Sequence, residues 1–219
     1  LQVSCADGLK PSTACPGNRR WIQLIFDGFL LQPASTSMLD SRDAILAADK
    51  ARYGGANLPT LWAGFAKRGM GADAFTASSA DREPEADFRN PATPGANGTV
   101  VFRPVSADGS ALPEEINVYI GHYEARITPL HVLSGGVASP AKKFQAGTYE
   151  VYVQAPGFGH RRLSMTVAAG QSRTVDLPLR KNLASLEQGA EVSGDGGNLE
   201  ALVDDTEGTN WGSIEGGKL

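Results

Sequence analysis

The spacing of apolar residues changes once along this chain of 219 residues, and that change restricts its possible folds strongly. Up to about residue 75, apolar residues recur at intervals of three and four, which is the period of a helix. From Thr99 to Leu179 they recur at every second position, which is the period of a β-strand. The polar stretch between the two patterns contains Pro84, Pro91 and Pro94, and it predicts a linker over residues 76–98.

Two helices are predicted between residues 40 and 71. Asp40 or Ser41 is the expected N-cap of the first helix, and Gly54 is its expected stop. The second helix begins with Pro59 in its first turn, where proline is tolerated. Its predicted buried stripe consists of Leu61, Trp62, Phe65 and Ala66.

A further helix is predicted from Trp21 to Leu31, because Gln32-Pro33 ends a strongly apolar stretch. Its predicted buried stripe consists of Trp21, Leu24, Ile25 and Phe29. Most of the remaining positions of this helix are apolar too, and a helix of that kind is normally covered on most sides. The sequence therefore predicts that this helix packs within a larger body.

The residues from 99 to 180 predict an antiparallel β-sandwich of Greek-key type. Short alternating stretches separated by Gly- and Pro-containing turns are typical of such sandwiches. The predicted inward-facing positions are Val101, Ile116, Val118, Ile120, Tyr149, Val151, Val153, Leu163, Met165, Val167, Val175, Leu177 and Leu179.

The helical part also resembles a known family. The residues RDAILAADKARYGGAN and LWAGFAKRGMG, with GNRRWIQLIFDGFLLQP upstream, resemble the C-terminal end of a fungalysin-type secreted zinc metallopeptidase. More distantly they are similar to the same corner of thermolysin-like enzymes. The resemblance assigns residues 1–75 to the helical end of the peptidase domain, forming one wall of a substrate cleft. It implies zinc and a peptide or protein substrate in the intact enzyme, the remaining part of the peptidase as partner, and an extracellular location.

The zinc motif of that family is absent from the sequence. Such enzymes use H-E-x-x-H, in which two histidines one helical turn apart bind zinc and the glutamate acts as general base. The histidines here are His122, His131 and His160, and none has a partner at that spacing. We therefore expect no catalytic residue, no bound zinc and no protease activity in this chain alone. A start at Leu1 rather than Met adds the expectation that the chain is a piece of a longer protein.

Two further resemblances lie in the second half of the chain. The run AGTYEVYVQAPGFGHRRLSMTVAAGQSRTVDLPL resembles a transthyretin-like, carboxypeptidase-regulatory-type domain, which usually serves as a spacer or folding partner. Residues 182–219 resemble the truncated start of a discoidin-like jelly roll, which implies a carbohydrate or surface partner. Some members of that family hold calcium through residues matching Asp204 and Thr209. Hard oxygen ligands suit that ion, although six to eight are needed.

Cys5 and Cys15 are expected to form a structural disulfide, given the oxidising compartment that the resemblance implies. Their spacing does not fit a C-x-x-C redox pair, and metal binding would need more ligands nearby. A net charge of -4 provides no basic face for nucleic acid, and no apolar run reaches the length of a membrane span.

The sequence leaves a second class of function open. In that alternative, the chain is a carbohydrate-binding, surface-binding or adhesion module in which the peptidase-like helices are relics. An H-E-x-x-H motif upstream of Leu1 would favour the enzyme. We also expect residues 99 to 180 to fold autonomously, and residues 1 to 75 and 182 to 219 to need a partner surface.

Overall fold

The structure is a computed structural model that describes residues 5, 10–15, 17–124 and 127–212. The chain divides into two compact units, Leu1–Pro94 and Gly95–Leu219. The first is called the helical unit below and the second the β unit. None of the helices in the described residues is long and apolar enough to cross a lipid bilayer.

The described part of the helical unit contains three α-helices: α1 (Asn18–Leu31), α2 (Met38–Tyr53) and α3 (Leu58–Lys67). The predicted N-cap of α2 is wrong, because the cap is Ser37. The Ser37 hydroxyl accepts the Asp40 N–H at 3.1 Å, and the Asp40 carboxylate accepts the Ser37 N–H at 2.9 Å. This reciprocal pair is a capping box, so Asp40 serves at the third helical position. Gly54 ends α2 in the left-handed conformation, as predicted.

The core of the helical unit lies where the three helices meet, and α1 faces it differently from the prediction. The buried cluster consists of Leu24, Ile45, Leu46, Ala48 and Leu61. The predicted burial of the α1 stripe is wrong for two of its members, because Trp21 is 45% exposed and Phe29 is 65% exposed. A Cβ added at Gly28 would lie 2.9 Å from Ile45 Cγ1. Because glycine has no side chain, the side of α1 that carries Leu24 and Gly28 packs closely against α2. The other apolar side of α1 therefore faces solvent.

The stretch predicted as a linker pairs with the end of the helical unit. Isolated β-bridges join Met70 to Asp87 and Phe75 to Glu85. Phe88, which lies in the same stretch, is buried. The two units divide after Pro94, inside the range predicted as a linker.

Seven strands in two sheets form the described framework of the β unit. The strands are β1 (Asn97–Ser106), β2 (Ile116–Ile120), β3 (His131–Leu133), β4 (Lys142–Gln145), β5 (Gly147–Ala155), β6 (Gly159–Val167) and β7 (Ser172–Leu179). The sheet orders are β4-β1-β7 and β3-β2-β5-β6. The prediction of a wholly antiparallel fold is wrong at one pair, because β1 and β7 run parallel. A parallel pair needs a crossover, and here the intervening chain supplies the strands of the second sheet.

The two sheets pack against each other through aromatic side chains. The Phe102 ring lies 5.9 Å from the His131 ring, and the Phe144 ring lies 5.3 Å from the Tyr149 ring. Most predicted inward positions are buried. Val101 is an exception, because Val100 and Phe102 point into the core instead. Three consecutive apolar residues leave the register of β1 undetermined by sequence alternation. Ile120 and Leu163 are also only partly buried.

The segment after β7 lies against the β unit and is called the C-terminal segment, residues 181–212. It contains two 3₁₀ turns, Leu186–Gln188 and Leu199–Leu202, and one isolated bridge between Gly197 and Gly212. Strands of a jelly roll are not formed in this part of the described chain, so that assignment stays a prediction. Both faces of β5 are buried near Tyr152, where the segment approaches the outer face of the sheet.

Candidate functional site

The surface of α1 carries a large exposed apolar patch. The apolar face of α1 is defined here by Trp21, Ile22, Phe26, Phe29, Leu30 and Leu31, which are all exposed in the described unit. Scattered apolar residues are ordinary at protein surfaces, whereas a contiguous group usually marks an interaction site. This face is therefore a candidate contact surface.

A hollow of about 510 Å³ lies beside that face. It is lined by Thr13, Asp27, Leu30, Leu31, Ala48, Ala51 and Arg52. Its polar edge is an ion pair in which Arg52 Nη2 donates to Asp27 Oδ1 at 3.0 Å. The hydrogen bond from Arg52 lowers the pKa of Asp27 below its ordinary value, which favours the charged carboxylate. The hollow thus combines an apolar floor with a fixed charge pair.

The residues that carry the family resemblance have structural roles in the helical unit. Arg42 is buried, donates to the Gly71 carbonyl at 2.7 Å, and lies 5.2 Å from the centre of the Trp62 ring. Asp49 is fully buried and accepts the Asn57 backbone N–H at 3.0 Å and its side-chain amide at 2.6 Å. These two side chains hold the α2–α3 corner and the chain after α3. They were not singled out from the sequence, although their spacing of seven residues puts both on the buried face of α2.

The Cys5–Cys15 disulfide predicted from the sequence is present in the structure. It ties two described positions of the N-terminal stretch together. Cys15 precedes α1, which begins at Asn18, by a few residues.

The histidines do not come together. Each lies in the β unit: His131 in β3, His160 in β6, and His122 in the loop after β2. Burial, and then the charge of Lys142, lowers the pKa of His131 to about 4, so this ring is neutral at physiological pH. Among the described residues, no group of three or more His, Cys, Asp or Glu side chains is arranged to hold a metal ion.

The structure brings Asp204 and Thr209 into contact. The Thr209 hydroxyl donates to Asp204 Oδ2, and the Thr206 N–H donates to Asp204 Oδ1 at 3.2 Å. Both carboxylate oxygens thus stabilise a turn of the C-terminal segment. Calcium bound through these two residues remains a prediction.

A cleft of about 460 Å³ separates the C-terminal segment from one end of the sandwich. Its lining includes the basic residues Arg161, Arg180 and Lys181 and the turn at residues 201–207. Asp205 is buried at the base of this turn and accepts the Gly157 N–H at 2.7 Å and the Asn182 amide at 2.6 Å. Its role is to fasten the segment to the β5–β6 turn.

Comparison with known proteins gives a family match within the helical unit and matches to several fungal relatives. Residues 4–74 match the sequence profile of the family described as fungalysin metallopeptidase. An extracellular metalloproteinase of Pyrenophora tritici-repentis is 54% identical over 50 residues, which are 23% of this chain and 8% of that protein. Extracellular metalloproteinase MEP of Leptosphaeria maculans is 51% identical over 73 residues, covering 31% of this chain and 12% of that protein. The corresponding protein of Pyricularia oryzae is 48% identical over 84 residues, covering 36% and 13%.

These matches support a metallopeptidase-related role for the helical unit. The type of metallopeptidase they support is the fungalysin type, in agreement with the resemblance found in the sequence. The chain spans between 8 and 13% of the length of these three relatives. The names of these relatives describe extracellular proteins, and the family implies zinc in the intact enzyme.

Proposed function

We propose that the helical unit is the C-terminal helical part of the catalytic domain of a secreted fungalysin-type zinc endopeptidase. In the whole enzyme, the reaction is hydrolysis of internal peptide bonds in protein substrates. The observation that carries this proposal is the exposed apolar face of α1, which lies within the region matched by the family profile.

The size of that face explains why it needs a covering partner. Burying half of six large apolar side chains contributes about 5–10 kcal/mol, which is comparable to the whole stability of a domain. Exposure of such a surface to water is unfavourable. In the whole enzyme, the part of the peptidase that carries the zinc ligands therefore covers this face.

The contribution of this chain to catalysis is then structural. The zinc ion of such an enzyme supplies an activated water for attack on the peptide carbonyl. The zinc-binding motif is absent from this sequence, so none of its residues is assigned to that step. Arg42 and Asp49 fix the corner that holds α3 against α2, and this positions the helical wall of the proposed substrate cleft.

The β unit is proposed to act as a spacer that carries a surface-binding module. Its two packed sheets enclose their own core, as expected of a domain that separates two functional parts. The carbohydrate or surface partner of the C-terminal segment rests on the sequence resemblance alone.

The proposal is tested on the secreted protein that contains this chain, identified by mass spectrometry of peptides from residues 17–75. We expect casein hydrolysis that 1,10-phenanthroline abolishes and added zinc restores, together with an H-E-x-x-H sequence in the same precursor or a tightly bound companion chain. The chain of residues 1–219 alone, as the matched control, is expected to show no hydrolysis. A secreted protein without chelator-sensitive activity and without that motif would overturn the proposal in favour of an adhesion or binding module.

A further inference from the structure

The cleft beside the C-terminal segment has walls that hydrogen bonds hold in place. In the segment, Asp205 accepts the Ser185 hydroxyl as well as two donors at and near the β5–β6 turn. Directly after β7, the Lys181 N–H donates to Asp108 Oδ2 at 2.9 Å. Ligand sites are commonly preformed clefts of about 300–1,000 Å³, and this cleft measures about 460 Å³. It can therefore receive a ligand without rearrangement of its walls.

Three basic residues of the lining, Arg161, Arg180 and Lys181, are exposed. None of them belongs to an ion pair within the part of the chain that the structure describes. Arg161 also departs from the pattern of its strand. It lies opposite Val153, which is only 1% exposed, and cross-strand partners share one face of a sheet. A cation thus stands where an apolar residue would continue the core.

The acidic residues of the described lining already have donors within the protein. Asp205 is buried and fastens the segment, and Asp204 accepts hydrogen bonds from its own turn. Glu207 accepts Arg162 Nη2 at 2.8 Å in an ion pair. The three basic residues therefore differ from the acidic ones, because they remain available to an acceptor from another molecule.

The lining exposes apolar surface as well. Leu202 is 49% exposed, and Phe158 is half-buried. A bare inorganic anion would satisfy the cations but leave this apolar surface in water. A peptide that carries carboxylates together with an aliphatic side chain complements both parts of the lining, and clusters of basic residues are a common means of recognising acidic peptide motifs.

We propose that this cleft binds a short acidic peptide segment of a partner protein. The carboxylates of the peptide contact Arg161, Arg180 and Lys181, and an aliphatic side chain packs against Phe158 and Leu202. A uronic acid sugar offers a carboxylate too, but it lacks the aliphatic side chain. The cleft lies wholly within the β unit, so this proposal does not depend on the proposed peptidase function.

Fluorescence anisotropy of a labelled acetyl-ELELE-amide peptide, titrated with the full chain of residues 1–219, tests the proposal. We expect saturable binding that weakens as sodium chloride is added, since salt screens exposed charges. The peptide QLQLQ lacks the carboxylates, and ESESE lacks the aliphatic side chains. Each is expected to bind about tenfold more weakly. The absence of saturable ELELE binding would overturn the proposal, and so would equal binding of either control peptide.

Matched variants place the peptide in the cleft. Lys181→Gln is expected to weaken ELELE binding about threefold to tenfold, whereas Lys143→Gln, at an exposed lysine outside the lining, is expected to leave it unchanged. Leu202→Ser is likewise expected to weaken it, whereas Leu183→Ser, at a position that is 82% exposed and outside the lining, is not. Circular dichroism checks that each variant is folded. Equal effects within either pair would overturn the proposal.

Competition identifies the class of ligand. Unlabelled ELELE is expected to displace the labelled peptide at concentrations at which digalacturonate and inorganic sulfate do not. Displacement by digalacturonate at the same concentration as ELELE would overturn the proposal in favour of an acidic sugar. Displacement by sulfate at that concentration would overturn it in favour of a site for simple anions.

Discussion

The helical unit and the β unit differ in what their residues leave exposed. In the helical unit, one side of α1 is used for the core and the other side presents six large apolar residues to solvent. In the β unit, two sheets bury their inward residues against each other. A region can therefore carry a recognisable family sequence without burying a complete hydrophobic core. The helical unit carries the family resemblance, whereas the β unit has the more complete core.

The largest expected effect is on independent folding of the two units. Expressed separately, Gly95–Leu219 is expected to fold as a monomer with strong protection of its strand amides from hydrogen exchange. Leu1–Pro94 is expected to show weak protection or to self-associate, because its apolar face lacks cover. Strong protection of the amides from hydrogen exchange in monomeric Leu1–Pro94 would show that the helical unit also folds independently.

A matched pair of phenylalanine variants sharpens the same comparison. Phe102→Ala, at a fully buried position of β1, is expected to lower the free energy of unfolding of the β unit by about 3–5 kcal/mol. Phe29→Ala, at an exposed position of α1, is expected to change the stability of the chain by less than about 0.5 kcal/mol. Denaturant unfolding measures both. A large loss in Phe29→Ala would mean that the apolar face is already covered in this chain.

The buried polar corner of the helical unit gives the next effect. Asp49→Ala leaves the Asn57 N–H and amide without their acceptor, and it is expected to destabilise the helical unit by about 1–3 kcal/mol. The exposed Glu83→Gln serves as control and is expected to be neutral. Circular dichroism at the helix minimum, recorded during thermal unfolding, reports on this unit. An equal melting temperature for both variants would contradict a structural role for Asp49.

The cap of α2 has a smaller expected effect. Ser37→Ala removes one half of the capping box and is expected to cost about 1 kcal/mol of helical-unit stability. Ser41→Ala removes only a hydrogen bond from the Gln32 amide, at 3.2 Å, and a smaller loss is expected. If thermal unfolding ranks the two variants the other way, the helix begins where the sequence first suggested.

The smallest expected effect is on the acid dependence of two ion pairs, one in each unit. Arg52 lowers the pKa of Asp27 in the helical unit, and Arg103 lowers the pKa of Asp176 in the β unit. A lowered folded-state pKa stabilises the protein above the unfolded value of about 3.9, and this contribution is lost as the pH falls through the folded pKa. Asp27 is the better shielded of the two, with 15% of its side chain exposed against 50% for Asp176.

Replacing the arginines tests that ranking. Arg52→Gln is expected to reduce the stability difference between pH 7 and acid more than Arg103→Gln does, because solvent screens exposed pairs. Unfolding curves over that pH range measure the difference for each variant. An equal reduction in both variants would show that the two pairs are screened alike.

Much of the fold could be predicted because the local patterns are strong. The helix stop at Gly54, the proline at the start of α3 and most inward positions of the strands follow from spacing and turn chemistry. The exposed side of α1 could not be predicted, since a helix that is apolar all round gives no preferred face. The contact of Glu124 with the Thr206 hydroxyl and the Glu207 N–H gave no signal, because these residues are separated in sequence and each resembles an ordinary polar position.

The sequence by itself determined the order of helical and β regions, the disulfide, the family resemblance and the lack of a zinc motif. These properties depend on residues close together in the chain or on simple identity. Only the tertiary structure decided that Gly28 turns one side of α1 outward, that β1 and β7 pair in parallel, and that Glu124 meets Glu207. Each of these depends on contacts between residues distant in sequence, where close packing and the pairing of buried polar groups select one arrangement.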